Sequence, residues 1–488
     1  MKGSEKIMAT KSRFYCDIMD IHDEVTGSCH LVIVKFPDGE TMRFIVDCGL
    51  FQGQQVDKEE EYGDKDLNYR KFPFNAENID FALITHVHVD HIGRLPYLVK
   101  SGYNNPIYTT NTTAMFLPLA LNDSYKVLSS NAKRNNVSPL YKEEDVSKTL
   151  EMVKPCNYGS TINVNSNIRV TFFPNAHLLG AAMILVQISY IEQEDINILF
   201  SGDYAPKNMF TENVDLPEWV KKLRLTIVQE STYGDMDSDE IKPCFEQNIL
   251  EAISKKKSII CPVFSLGRSQ EIMYVLRKMQ DDGKIAEDLP IYLDGKLAIN
   301  YTNLYLKGQI EEIIPEMEDF LPYGIIFVDK VTRKNVLESR QCKIVLTTSG
   351  MGSYGPAQVY IPEYLSRRNA LIHFTGYTPE STMGGKLKSA KYREIVEVGG
   401  LVVKKLAKVE YTAEFSAHGK ADEMIAFLKN FKEAKLILVN HGEPEVKEIF
   451  AKRILDEVKP KRVGILGREY FFRVDSYGLV KTMSTKFK

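Results

Sequence analysis

The sequence predicts an α/β protein in which a β-rich layered fold is interrupted by a doubly wound, parallel-sheet domain. Up to about residue 229 the chain carries alternating or continuous β-branched runs at 31–36, 42–46, 79–84, 170–173, 182–188 and 196–200, the mark of strands. From about 240 to 375 the texture changes to short apolar runs at 258–264, 290–293, 325–328, 344–347 and 371–374, alternating with helical spacing as in a parallel sheet. The first pattern returns at 435–440. An inserted domain at 235–410 inside a split domain of 1–234 and 411–488 is therefore expected, and 488 residues exceed one ordinary domain.

Along the first unit, polar segments with helical spacing at 113–131 and 142–153 are expected to lie over the strands, and a short helix at 93–100 follows the run at 80–84. In the second, Ile272, Val275, Leu276 and Met279 mark one face of a helix beginning near Ser269. The polar stretch 54–70 fits no pattern and is expected as a loop near the mouth of a site. Composition, 44% hydrophobic and 26% charged, is that of a soluble globular protein. No apolar run is long enough to span a bilayer, and residues 1–13 lack a signal core, so no membrane partner and a cytoplasmic location are expected. Seven cysteines without a C-x-x-C pair argue against a disulfide framework and a cysteine zinc site; Cys261 and Cys342 read as inert core residues. A net charge of −3 requires any phosphate-binding surface to be local.

The strongest chemical signal is Thr85-His86-Val87-His88-Val89-Asp90-His91. His86, His88, Asp90 and His91 leave the end of an apolar strand, where side chains can converge. Imidazole and carboxylate without thiolate suit Zn²⁺ kept open for catalysis, and four donors in six residues are too many for one ion that must also hold water. Three more candidates end apolar runs: His177, Asp203 and His441. A single such residue is ordinarily a cap or a turn. Five of only nine histidines, however, fall in these positions, and a sixth, His418, lies in Phe415-Ser416-Ala417-His418-Gly419. His30 and His373 lie in strand-like runs and read as structural; His22 is unassigned.

The order His86-x-His88-x-Asp90-His91, His177, Asp203, with Asp47 in Val46-Asp47-Cys48-Gly49, resembles the metallo-β-lactamase superfamily. Glu230-Ser231-Thr232-Tyr233-Gly234, Pro262-Val263-Phe264-Ser265-Leu266-Gly267-Arg268, Thr348-Ser349-Gly350-Met351, Phe374-Thr375-Gly376-Tyr377, Phe415 to His418 and Asn440-His441-Gly442-Glu443 resemble its β-CASP branch of nucleases, in order over nearly the whole chain. The resemblance implies an αββα sandwich built from both chain ends with the β-CASP domain inserted as a lid. It also implies two Zn²⁺ ions, one on His86, His88 and His177, the other on Asp90, His91 and His441, with Asp203 between them. A metal-bridging hydroxide would attack the phosphodiester, so Asp90 counts among the catalytic residues as well as the ligands. Asp47 would orient a ligand imidazole or the hydroxide. His418 would protonate the leaving oxygen with Glu230 raising its pKa, and Ser416 would bond the phosphate.

In this family RNA-directed members carry His at the place of His441, whereas DNA-directed members carry a small apolar residue there, so RNA is the implied substrate. Phe415 to His418 and Val25-Thr26-Gly27-Ser28-Cys29-His30 resemble stand-alone bacterial β-CASP ribonucleases and the nuclease subunit of the messenger-RNA 3′-end machinery more than RNase J, whose extra C-terminal domain would not fit in the 47 residues after His441. An endonuclease on single-stranded RNA is expected, exonuclease activity and a homodimer being allowed. A DNA nuclease of the same fold is the alternative enzyme; a catalytically silent RNA-processing scaffold is the alternative of another class, and it predicts lost ligands. For RNA contacts, Arg268 at a helix start and a basic lip containing Lys404 and Lys405 are expected. The sequence departs from the family in two places: 17–23 replaces a glycine-rich opening, and Gly385-Lys386 replaces an arginine after Met383-Gly384.

Overall fold

The computed structural model describes residues 13–22, 25–52, 66–317, 319–376, 378 and 382–484. Most of the loop assigned to 54–70, Tyr377 of the Phe374 motif and Asp23 of the departing first segment lie outside them.

Two sheets stack face to face, and each contains strands from both ends of the chain. The eight-stranded sheet combines Tyr15–Asp20, His30–Lys35, Thr41–Val46, Phe81–Leu83, Ile107–Thr110 and Val153–Cys156 with the C-terminal hairpin Tyr470–Asp475 and Gly478–Ser484. The seven-stranded sheet combines Thr161–Asn163, Ile168–Pro174, Ala182–Ile188, Ile196–Phe200 and Leu225–Glu230 with Leu436–Asn440 and Val463–Ile465. Alternation supplies the layer between them: Val32, Val34, Phe44 and Val46 from one sheet meet Val170, Phe172, Ile184, Val186 and Phe200 from the other, all buried. Each such side chain contributes about 1.5–3 kcal/mol of burial. Phe116, Leu117 and Leu121 of the helix Asn111–Arg134 belong to the core beyond the eight-stranded sheet. Met424, Leu428 and Phe450, from Ala421–Leu428 and Pro444–Arg453, cover the seven-stranded one. The layers run helix, sheet, sheet, helix, as the resemblance implies.

The interruption falls between Leu225–Glu230 and Leu436–Asn440, which pair in parallel with Glu230 opposite Asn440. Between them lies a six-stranded parallel sheet in the order Ile326–Phe327, Ile291–Asp294, Ile344–Thr347, Ser258–Pro262, Ala370–Phe374, Lys408–Tyr411. The last strand carries this sheet one residue past the 235–410 bounds. Helix Arg268–Asp281 buries Ile272, Leu276 and Met279 as the spacing predicts. Helix Lys296–Tyr305 of the insertion packs onto helix Asn111–Arg134 of the sandwich through aromatic rings: Phe116 meets Tyr301 edge-on at 5.4 Å and stacks on Tyr305 at 6.0 Å.

One expected element is divided. The helix read over 142–153 ends as Glu143–Glu151, and Val153–Cys156 pairs in parallel with Ile107–Thr110. Pairing with an open sheet edge overrides the helical spacing there.

His373 lies inside Ala370–Phe374, fully buried, with Nε2 3.2 Å from the Asn248 amide nitrogen. Burial pushes its pKa down to about 4. An unfolded imidazole, with a pKa of about 6.5, takes up a proton first, so folding stability falls as pH drops from there through the folded value, by up to about 3 kcal/mol. In urea denaturation at pH 7 and pH 4.5, His373→Gln is expected to show a flatter acid decline than the parent chain.

Candidate metal centre

The ligand loops are fixed by backbone before any side chain acts. After Phe81–Leu83, the segment through Val89–Ile92 is laced to the loop after Thr41–Val46: the Cys48 N–H donates to the His91 carbonyl (2.7 Å) and Leu50 N–H to that of Val89 (3.0 Å). Gly49 allows the approach, since a Cβ there would sit 1.5 Å from the Asp90 carbonyl oxygen. Asp47 holds a left-handed φ of 62°, which for a residue with a Cβ persists only where its surroundings impose it.

Its carboxylate is what the loop presents. Asp47 accepts from the Thr85 N–H (2.8 Å) and hydroxyl (2.7 Å), and lies 2.8 Å from His91 Nδ1. A carboxylate can only accept, so His91 carries its proton on Nδ1 and turns a bare Nε2 inward. The Thr85 hydroxyl, its proton given to Asp47, accepts from His86 Nδ1 at 3.0 Å. The Ala417 carbonyl accepts from His177 Nδ1 at 2.7 Å. Three imidazoles are thus set to the same tautomer by three different acceptors.

The expected ligands fall in two clusters, within each of which all ligand atoms lie within 4.8 Å of one another, His86, His88, His177 and Asp203 in one, Asp90, His91 and His441 in the other, and a third grouping joins Asp203 to Glu230 and His418. In the first, His88 Nδ1 lies 3.2 Å from His86 Nε2 and 3.0 Å from His177 Nε2, and Asp203 Oδ2 lies 3.6 and 3.7 Å from those Nε2 atoms. In the second, His441 Nε2 lies 4.0 Å from Asp90 Oδ2. The other oxygen of Asp203, Oδ1, lies 3.3 Å from His91 Nε2 and 3.4 Å from His441 Nδ1, so this carboxylate faces both clusters. The structure brings all seven expected ligands together.

The residues fit cations. His91 Nε2, His441 Nε2 and Asp203 Oδ1 are buried without a hydrogen-bond partner, a costly state that an ion relieves. Burial first, then neighbouring imidazoles, hold His86 and His88 well below the ordinary histidine pKa, and His177 down at about 4, giving the neutral form that ligation needs. His91 differs. Burial opposes its charge, but the carboxylates of Asp203 and Asp47 outweigh burial and raise its pKa; the negative density that would keep a proton there is what a cation answers.

Beside the clusters, His418 Nδ1 sits 3.2 and 3.1 Å from the two oxygens of Glu230. Glu230 is also tied by the N–H groups of Tyr204 and Thr232. Burial works against a charged His418, yet the Glu230 carboxylate prevails and raises its pKa. The His418 side chain retains 22% of its exposure against 1% for Glu230, so the imidazole is the accessible member. The Ser416 hydroxyl accepts the His418 N–H at 3.3 Å and shapes the same turn.

Two expectations for nucleic-acid contacts are corrected. Arg268 is buried rather than solvated: its guanidinium donates to Glu271 (3.0 Å) and to the carbonyls of Thr375 and Phe415, leaving it to clamp the His418 loop onto the inserted sheet. Lys405 points inward, its Nζ donating to the carbonyls of Leu387 (2.8 Å) and Ala390 (2.7 Å) at the end of Met383–Ser389. Lys404 is exposed on the hairpin Ile395–Val398 and Leu401–Lys404. Sequence reasoning missed Thr85, Asn175 and Thr232. Asn175 bonds the His177 N–H and the Asp203 carbonyl, and the Thr232 hydroxyl lies 3.1 Å from His441 Nδ1; adjacency to ligand motifs is the one signal that could have found them.

Imidazoles and carboxylates gathered at the edge of an αββα sandwich define a metallo-hydrolase. Within that class the chain belongs to the β-CASP branch of the metallo-β-lactamase superfamily. Residues 23–153 match the Metallo-beta-lactamase superfamily, 269–387 the Beta-Casp domain and 402–465 the Zn-dependent metallo-hydrolase RNA specificity domain. The chain is 31% identical over 435 residues to Ribonuclease TTHA0252 of Thermus thermophilus, covering 86% of this chain and 91% of that one. It is 28% identical over 459 residues to an RNase J-like protein of Methanocaldococcus jannaschii, covering 89% and 95%. With Transcription termination factor FttA of Methanococcus maripaludis it shares 31% identity over 420 residues, 82% of this chain but 63% of that protein. Among the described residues no helix is long and apolar enough to cross a membrane.

Arg268→Ala is expected to strand the Glu271 carboxylate and two buried carbonyls at a cost of about 3–5 kcal/mol, read as a lower urea midpoint with an unchanged m-value.

Proposed function

We propose that the chain is a zinc-dependent ribonuclease that cuts within single-stranded RNA. The observation that carries this reading is the Glu230–His418 pair standing beside two donor clusters that Asp203 faces with one oxygen each. Small-molecule hydrolysis does not require such a pair, whereas a sugar oxygen leaving a phosphodiester is served by one; the choice of RNA over DNA rests on His441 and is supported by the ribonuclease relatives. His86, His88 and His177 would hold one zinc, Asp90, His91 and His441 the other, with Asp203 common to both. Bound zinc supplies an acidified water as nucleophile and offsets phosphate charge.

The chain's own residues then divide the remaining work. His418, protonated through its contact with Glu230, donates from its free Nε2 to the leaving oxygen, and Glu230 keeps the ring from turning. Asp47 and Thr85 fix the tautomers of His91 and His86. The Ser416 hydroxyl would bond the phosphate. The exposed side chains of Lys386, Lys388, Lys391, Arg393 and Lys404 offer a local basic surface to the RNA backbone despite a net charge of −3. Seven unpaired cysteines accord with a cytoplasmic setting.

Purified protein should cleave labelled single-stranded RNA internally, leave matching DNA largely intact, and lose activity with chelator. His418→Ala should lower kcat by about 10²–10⁴-fold with metal content unchanged. Cleavage that survives the chelator, or DNA cut as readily as RNA, would overturn the proposal. Lys404→Glu should weaken RNA binding at low salt and reduce the slope of log affinity against log salt by about one, measured by fluorescence anisotropy.

A further inference from the structure

His30 reads from sequence as a strand-interior histidine, and the site described above does not use it. Its surroundings give it a role. It begins the strand His30–Lys35 and pairs with Val46, the residue before Asp47. Its Nε2 lies 2.9 Å from the side-chain amide nitrogen of Asn440, 410 residues away in the chain and on the facing sheet. Both residues are buried, at 3% and 7% exposure. They share one small pocket with Asp47, His91, Asp203 and His441, so the pair backs directly onto the second donor cluster.

The residue next to this pair has a backbone that needs support. His441 has a left-handed φ of 45°, a conformation that a residue with a Cβ holds only when its neighbours over-determine it. Ser231 supplies two restraints: its N–H donates to the His441 carbonyl (3.1 Å) and its hydroxyl to that of Asn440 (2.7 Å). Both come from the same sheet. The Asn440 side chain provides the restraint from the other sheet, and His30 is its partner. Two residues before His30, the Ser28 N–H donates to the Asp90 carbonyl (2.9 Å) and the Ser28 carbonyl accepts from Gly49 (3.0 Å). The segment 28–30 therefore touches the Asp90 loop, the Asp47 loop and the His441 turn together.

The geometry points to His30 and Asn440 as a positioning pair that sets His441 against Asp90 and His91, and so fixes the affinity of that cluster for its metal. His30 touches neither substrate nor ligand atom; it acts through Asn440. This rests on the reading of His441 as a ligand.

The test measures zinc retained by the full-length protein after equilibration with graded chelator, alongside kcat and KM on single-stranded RNA, for the parent chain, His30→Phe, His30→Gln, Asn440→Ala and His441→Ala. One equivalent should be lost in His441→Ala. His30→Phe should weaken that same equivalent about 10–100-fold, the usual effect of removing a residue that orients a ligand, and lower kcat with little change in KM. His30→Gln, whose amide can meet Asn440, should recover most of the affinity. Asn440→Ala should reproduce His30→Phe, with the double variant no worse than either, which keeps the test decisive should one single variant fold poorly. Unchanged zinc retention in His30→Phe and Asn440→Ala, while His441→Ala loses its equivalent, would overturn the pair and leave the ligand reading standing. Parallel loss of both equivalents with a lowered Tm would also overturn it. Unchanged retention in His441→Ala would instead overturn the ligand reading.

Discussion

The parallel pairing of Leu225–Glu230 with Leu436–Asn440 is the contact on which the remainder of the centre depends. It closes the sandwich across an insertion that itself contains six parallel strands. It also sets Glu230 opposite Asn440, so that the residues following each strand emerge side by side. Ser231 and Thr232 then bond the His441 turn, while Glu230 reaches back to His418. Five residue pairs in register accomplish what no local motif can: they bring His441, the one expected ligand beyond the insertion, to the other six.

Within the centre, the dominant constraint is electrostatic. Three carboxylates, Asp47, Asp203 and Glu230, are almost fully buried, and each is answered by imidazole. Isolated carboxylates at that depth would take up protons. Instead, burial and neighbouring histidines oppose one another, and the histidines hold Asp203 well below the usual carboxylate range. The buried negative charge pre-exists in the protein, so an incoming cation finds a fixed site and little has to reorganise around it.

The layered fold and the inserted parallel sheet are legible in the sequence because buried strands such as Ala182–Ile188, Ile196–Phe200 and Ile344–Thr347 are short, mostly apolar runs rich in β-branched residues, too short for ordinary helices. The strand Val153–Cys156 is not legible: it is half exposed, contains Pro155, and owes its conformation to pairing with Ile107–Thr110. The convergence of His86, His177, Asp203 and His441 is foreshadowed because each ends a strand on the same edge. Arg268 and Lys405 mislead for one reason. In sequence a basic side chain looks identical whether it faces solvent or donates to carbonyl oxygens inside the fold, and only the packing of distant segments decides. Thr85, Asn175 and Ala417 act through tautomer and backbone, properties that residue type alone does not announce.

The divided sandwich also orders events during synthesis. A ribosome releases the histidines of the first cluster, with Asp203, long before Leu436–Asn440, and the whole inserted sheet emerges in between. A nascent or truncated chain holding only those earlier residues lacks His418 and His441 alike, together with the strand that seats them. Completion of the centre is therefore postponed until Leu436–Asn440 and His441 have emerged behind the whole inserted sheet, and fragments abandoned earlier carry an incomplete set of chemical groups.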